Sequence, residues 1–432
     1  MASAAEQMAA NISLKSFGKA TELKNRIWFT IGALILFRLL SHVPMPGIDP
    51  RAMAALFNTQ RGGVLDFFNT FSGGSLERMS IIALGVMPYI TASIVIQLAT
   101  SLSPTLAAIK KEGESGRKRL NQYTRYGTVF LTAIQGWFIA VGLESWGAAQ
   151  GMSAVVEPGL LFRVTCVISL IGGTMFLMWL GEQITSRGIG NGISLIIFVG
   201  IVAEIPAAIA QFFAQGRSGA LSTPVILGVI VMVIVVITFV VFMERALRKI
   251  SILYPRRQVG MKVYEGGSSH LPIKVNPAGV IPAIFASSIL LLPTTISTFS
   301  GSTTNPVLSW LAASLGYGQP LHLMLLAAMI VFFSYFYTLN VAFKIDDVAE
   351  NLKNQSASIP GIRPGRKTEE YLEYVVNRVL VLGSAYLAAV CLLPEILISQ
   401  VGIPFYFGGT SVLIIVSVTM DTIQQVQSHL VA

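Results

Sequence analysis

Apolar runs long enough to cross a membrane alternate with short polar or basic stretches along almost the whole chain. Ten such runs occupy about 26–43, 79–101, 124–143, 161–181, 190–213, 222–243, 276–297, 321–343, 374–394 and 405–427. A helix rises about 1.5 Å per residue, so about 20 apolar residues cross about 30 Å of hydrocarbon, and the pattern predicts ten spanning helices. The first run stops at Pro44-Met45-Pro46-Gly47, a sequence that ends helices. It is too long for the core of a secretion signal and has no small-residue cleavage site, so it is expected to stay in the mature protein. Glu204 and Pro206 interrupt the fifth run, predicting that this helix stops early, because proline removes a backbone donor. Between the first and second runs, Val64 to Phe71 is too short to span, and Ser72-Gly73-Gly74 follows it as a joint. A half-helix that dips into surrounding protein and turns back fits this stretch. So does a helix on the external surface. The first 25 residues are polar, with Lys15, Lys19 and Lys24 beside apolar Leu14, Phe17 and Leu23, and suit either a bilayer surface or solvent.

Two of the runs open alike. Gly85-Val86-Met87-Pro88-Tyr89-Ile90-Thr91-Ala92-Ser93 matches Gly279-Val280-Ile281-Pro282-Ala283-Ile284-Phe285-Ala286-Ser287 at six of nine positions. Each copy opens the second span of a set of five. If the N-terminus is cytoplasmic, one copy runs inward and the other outward, which predicts two inverted halves, 26–215 and 216–432, with a path between them.

Charge placement supports that orientation. The chain is 53% hydrophobic and 12% charged, with a mean hydropathy of +0.68, which excludes an ordinary soluble domain and predicts an all-α polytopic membrane protein. The segments placed inside hold 24 Lys and Arg, and those placed outside hold only Arg51, Arg61, Arg78, Arg163 and Arg217. Both termini are therefore expected in the cytoplasm. Arg38 falls within a span, where it either snorkels or pairs, or serves a function. Two cytoplasmic loops, 244–275 and 344–374, are longer than a connection requires. Positive-inside bias explains their basic residues, but their length suits docking to a large acidic or RNA-bearing partner.

Catalytic groups are scattered. His42, His270, His322 and His429 have no ligand partners at metal spacing, and Cys166 and Cys391 lie inside apolar runs as buried thiols. The run Gly188-Ile189-Gly190-Asn191-Gly192 lacks the Lys-Ser/Thr ending of a phosphate loop and reads as a tight hairpin between spans four and five. Glu204 and Asp421 are read as lying near span ends, which argues against ion coupling through buried charge. No enzyme, metal or cofactor is expected. What the centre offers is branched aliphatic side chains. Val86, Ile90 and Ile284 sit at the two echoed starts, and Ile193 and Ile197 lie one turn apart at the start of span five. Such side chains can close a pore by excluding water, or can simply pack helices. A secondary transporter of a small solute, built on the same inverted repeat, is the alternative reading, and a membrane-embedded enzyme is third.

Several runs in order resemble the SecY family, the channel-forming large subunits of bacterial Sec translocases, from about Glu22 to Gln427. They are Phe71-Ser72-Gly73-Gly74, the two Gly-Val-x-Pro starts, Pro104 to Leu106 with Lys110 to Arg117, Gly181-Glu182-Gln183-Ile184-Thr185, Gly188 to Ser194, Pro360-Gly361-Ile362-Arg363-Pro364-Gly365 and Pro404-Phe405-Tyr406-Phe407-Gly408-Gly409-Thr410-Ser411. The resemblance implies two inverted five-helix halves around a central hourglass pore, clamped by SecE and accompanied by SecG. It implies a pore ring of Val86, Ile90, Ile193, Ile197, Ile284 and Ile414, the last from the match alone. A plug half-helix at about 62–76 would include Leu65, Phe67, Phe68, Phe71, Ser72, Gly73 and Gly74. A lateral gate would involve Gln97, Gln135, Asn276, Ser287 and Ser288. Arg256, Arg257, Arg363 and Arg366 would receive the SecA motor or the ribosome and its RNA. Signal sequences and nascent polypeptides would be the cargo, anionic lipids would be neighbours, and the place would be the bacterial inner membrane. Met261 stands where relatives often carry a base, and the chain stops at Ala432, where relatives carry a longer basic tail.

Overall fold

The computed structural model describes residues 21–59, 69–150, 154–219, 222–254, 257–259, 262–264, 267–299, 310, 314–316, 319–401 and 409–431. Every one of the ten predicted runs is helical within them. The helices are α1 (Thr21–Leu40), α2 (Pro50–Thr59), α3 (Met87–Leu102), α4 (Pro104–Lys111), α5 (Glu114–Gln150), α6 (Leu160–Arg187), α7 (Gly192–Arg217) and α8 (Thr223–Arg245). After four short strands come α9 (Ile281–Phe299), α10 (Pro320–Tyr337), α11 (Ile345–Asn354), α12 (Arg366–Val401) and α13 (Gly409–Val431). The short α2, α4 and α11 fall between the predicted runs. Among the described residues, six helical stretches are long and apolar enough to cross a membrane on their own, and α3 with α4, bent by 101°, makes a seventh if taken as one span. Helices α1, α9 and α13 occupy the three remaining runs. Pro104 forces the α3–α4 bend, because the residue before a proline is pushed out of helical geometry, and Ser103 sits there extended.

One expectation fails. Helix α7 does not stop at Pro206 but continues to Arg217. Carrying a proline costs about 3 kcal/mol. Ending the helix within hydrocarbon would strand its last four carbonyls at about 1–3 kcal/mol each. Continuation is the cheaper course, and it places Glu204 at the middle of a continuous helix rather than near a span end.

The chain divides into two compact units, Met1–Ser222 with Ser287–His322 and Glu395–Ala432, and Thr223–Ala286 with Leu323–Pro394. In the first, glycines let helices approach closely, the usual device where helix packing gains nothing from excluding water. A Cβ on Gly136 of α5 would touch Leu170 of α6 at 3.2 Å, and one on Gly173 of α6 would strike the carbonyl of Ile81. Residues Cys166, Leu170, Leu177 and Ile184 of α6 are fully buried along that seam. Two ion pairs brace α5 and α6. Arg163 meets Glu144 at 2.6 Å, and Arg125 meets Glu182 at 2.7 Å. The predicted hairpin at Gly188 is present, and Asn191 caps α7 by accepting from the amides of Ile193 and Ser194 at 3.1 and 3.3 Å.

In the second unit, loops read from sequence as separate form one folded body. Strand β1 (Leu247–Leu253) pairs antiparallel with β4 (Ser268–Lys274), and β2 (Arg257–Val259) pairs with β3 (Lys262–Tyr264). Ile250 and Ile252 alternate inward from β1, and Ile273 from β4. They pack with Ile345, Leu352, Ala357, Ile359, Leu372 and Val376 from the following loop and the base of α12. Leu253 and Ser358 exchange backbone hydrogen bonds at 2.8 and 2.9 Å. Hydropathy alone does not show this, because seven-residue strands with alternating burial carry little apolar signal.

Leu372→Ala should therefore destabilise this body by about 2–5 kcal/mol. Trypsin sensitivity of the β ribbon should rise together with a fall in the melting temperature in detergent. Unchanged proteolysis and melting would show that the cluster does not hold the two segments together.

Candidate functional site

The two echoed stretches fold alike. Gly85 and Gly279 adopt φ of +57° and +60°, a left-handed turn that favours glycine. Each turn closes with an amide bond three residues back, Gly85 to the carbonyl of Ile82 at 2.8 Å and Gly279 to that of Asn276 at 3.4 Å. The helix then starts two residues later, with Pro88 or Pro282 in its first turn, where a missing amide proton is harmless. Ile90 and Ile284 donate to the carbonyls of Val86 and Val280 at 3.1 and 3.2 Å, so corresponding residues make corresponding bonds. Asn276 fixes the second turn. Its amide donates to Glu244 Oε1 at 2.9 Å and to the Gly279 carbonyl at 3.0 Å.

All six candidate ring residues lie within the first two turns of a helix or at its cap. Val86, Ile90, Ile197 and Ile414 are buried in the first unit, with Ile193 half-buried there, and Ile284 is buried in the second. Helices α7 and α13, which carry three of them, pack together, and the amide of Gly190 donates to Gln425 Oε1 of α13 at 2.8 Å. Ser288 of α9 donates to Met87 Sδ at 3.6 Å, so this part of α9 meets the start of α3.

The other candidates divide into four groups. Leu65, Phe67, Phe68 and Arg256 lie outside the described residues. Phe71, Ser72, Gly73 and Gly74 are all buried. A Schellman-like turn ends their helical stretch, with the Gly74 amide bonding the Asn69 carbonyl at 2.9 Å. Gly73 and Gly74 adopt φ of +67° and +77°. Gln97 donates to Ser93 at 3.2 Å, while its own carbonyl oxygen and that of Gln135 are buried with no hydrogen-bonding partner among the described residues. Ser287 and Ser288 are buried. Arg257 is in β2 opposite Tyr264, Arg363 is exposed, and Arg366 pairs with Glu370 at 3.4 Å across one helical turn.

Hydropathy did not reveal what surrounds the Gly73–Gly74 joint. Arg38 of α1 donates to the Gly73 carbonyl. A Cβ on Gly73 would sit 2.9 Å from the Cα of Gly200 of α7, and one on Gly74 would strike the carboxylate of Glu204. Intramembrane Arg38 was the available signal, and the geometry gives it a backbone carbonyl as acceptor. Its partners come from segments far away in sequence.

Among known proteins, the SecY family model matches residues 80–423. Protein translocase subunit SecY of Escherichia coli (strain K12) is 53% identical over 412 residues, covering 95% of this chain and 92% of the relative. Two solved structures share the fold. One is of a SecY whose plug domain stabilises the closed state of the translocation channel and maintains a membrane seal. It is 19% identical, with a TM-score of 0.66 over 94% of this chain and 92% of its own. The other is Sec61 in the canine ribosome–channel complex of the endoplasmic reticulum, 17% identical with a TM-score of 0.61 over the same shares. With more than half its length matched by the family model and a relative of this similarity along nearly all of it, the chain belongs to the SecY family.

Proposed function

We propose that this chain is the protein-conducting subunit of a bacterial translocase, passing unfolded secretory polypeptides outward and releasing apolar segments sideways into lipid. The observation that carries the reading is the pair of matching Gly-Val-x-Pro starts. Each breaks the regular backbone at one spot and sets a branched aliphatic side chain, Ile90 or Ile284, in the first helical turn. In our reading those residues, with Val86, Ile193, Ile197 and Ile414, form a waist that seals by dispersion contacts and yields to a bulky chain. Soft, non-directional contacts suit a pore that must pass many different side chains.

Sideways release follows from partitioning. Each central Leu, Ile or Phe favours the bilayer by about 0.3–0.6 kcal/mol, and each Asp, Lys or Arg opposes it by about 2.5–3.5. A gate lined by Gln97, Gln135, Asn276, Ser287 and Ser288 would let lipid judge each segment. The buried, unpartnered oxygens of Gln97 and Gln135 support this assignment, since desolvating an amide without a partner costs the closed form about 1–3 kcal/mol.

The plug reading of about 62–76 rests on the buried Phe71–Gly74 end. We place both termini in the cytoplasm of a cell with this chain in its inner membrane. The ribbon and the 344–374 segment, anchored as one body, would dock SecA or the ribosome through Arg256, Arg257, Arg363 and Arg366. SecE and SecG would complete the complex. ATP hydrolysis by the motor or synthesis by the ribosome would supply the drive, with this chain as a passive, non-enzymatic conduit.

Ile90→Asn and Ile284→Asn should each remove about 2 kcal/mol of apolar contact and raise resting ion conductance roughly 30-fold. Both should also admit secretory proteins with defective signal sequences. Conductance and signal discrimination like the parent chain in both variants would remove these residues from the seal. Arg363→Glu should cut motor-driven export at least about tenfold by placing a like charge against an acidic partner, while membrane insertion of the channel stays normal. Undiminished export by vesicles carrying that variant would refute the docking role.

A further inference from the structure

The plug reading leaves open what keeps the plug seated, and the residues around its Gly73–Gly74 joint answer that. Arg38, Arg78 and Glu204 come from three separate stretches of the chain. Arg38 lies within electrostatic reach of both Arg78 and Glu204. Its guanidinium donates to the carbonyl of Gly73. A Cβ on Gly74 would collide with the Glu204 carboxylate and come within 3.4 Å of Arg78 Nη1. The three side chains are half-buried, and the two glycines are buried. Helix α7 meets the joint backbone to backbone. A Cβ on Gly200 would lie 3.0 Å from the Phe71 carbonyl and 3.3 Å from the Gly73 amide. Positive φ at both glycines adds a second constraint, because any larger residue would be strained as well as crowded.

We propose that Arg38, Arg78 and Glu204 form a charge latch that grips the Gly73–Gly74 joint and holds the plug closed, an inference that rests on the plug reading above. Glu204 is the one anion of the three, and its attraction for Arg38 opposes the repulsion between Arg38 and Arg78 that would otherwise push α1 and the segment after the joint apart. Displacing the plug must strip the Gly73 carbonyl from Arg38 and open the cluster to water, where charge pairs weaken. The latch therefore sets how readily the plug leaves. Glu204 reaches the joint because it stands one helical turn beyond Gly200, where α7 packs against Phe71 and Gly73.

The test is the resting ion conductance of the full chain, co-expressed with its small partner subunits and reconstituted in planar bilayers. It compares Glu204→Gln, Gly74→Ala, a chain lacking residues 62–72, and that deletion combined with Glu204→Gln. Loss of the half-buried counter-charge should raise conductance at least about tenfold in the intact chain. Gly74→Ala, which crowds the same carboxylate from the other side, should leak similarly. The deletion should leak, and adding Glu204→Gln to it should change nothing. Conductance at the parental level in both point variants, beside a leaking deletion, would overturn the latch and leave the plug standing. An equal effect of Glu204→Gln with and without the plug would also overturn it, by showing that the carboxylate acts on helix packing. A deletion that does not leak would overturn the plug reading itself, and the latch with it.

Discussion

In hydrocarbon, an amide or carbonyl that leaves a regular helix must find a partner inside the protein, because no water is there to take its place. This constraint bears on the described breaks at the starts and ends of the spans. The turns that open α3 and α9 close on their own carbonyls, with Asn276 adding a side-chain donor to the second. The glycine joint after Phe71 closes on Asn69 and Thr70 and receives Arg38. The hairpin between α6 and α7 takes Thr30 and Thr185 as acceptors for the amides of Ile189 and Gly192, at 3.1 and 2.8 Å. The joint, the α9 turn and the hairpin each recruit a polar side chain, while the α3 turn closes on backbone alone.

The same constraint explains where the sequence was readable and where it was not. Ten apolar runs gave ten helices, because length and hydropathy decide whether a segment can satisfy its own backbone in lipid. The paired starts were legible as well. Glycine and proline three residues apart have a specific meaning at a helix opening, and both copies realise it with nearly the same φ. Pro206 misled because proline is a local signal. The penalty for ending a helix inside the bilayer is collective and outweighs it.

Contacts between distant segments were beyond pattern reading. Arg38 stood out as an intramembrane charge, but Gly73, Arg78 and Glu204 around it are about 35, 40 and 166 positions away, and nothing periodic connects them. The ribbon at 247–274 escaped notice for a related reason. Its inward residues Ile250, Ile252 and Ile273 are too few to register as an apolar run and become a core only against Ile345, Leu352 and Leu372. Candidate ring residues were legible as a type, branched aliphatics at helix starts, but Ile414 came only through family resemblance. Nothing in the residues just before it repeats the Gly-Val-x-Pro signal.

An extended polypeptide that passes through a waist lined by the six aliphatic positions, as proposed, must touch them on the way. Photo-crosslinking tests it most directly. A secretory chain stalled midway across the membrane is probed from each of Val86, Ile90, Ile193, Ile197, Ile284 and Ile414, and from Leu227 and Ile234 on the exposed face of α8. Adducts are expected from the six positions and none from α8. Adducts absent from the six, or as frequent from α8, would contradict that passage.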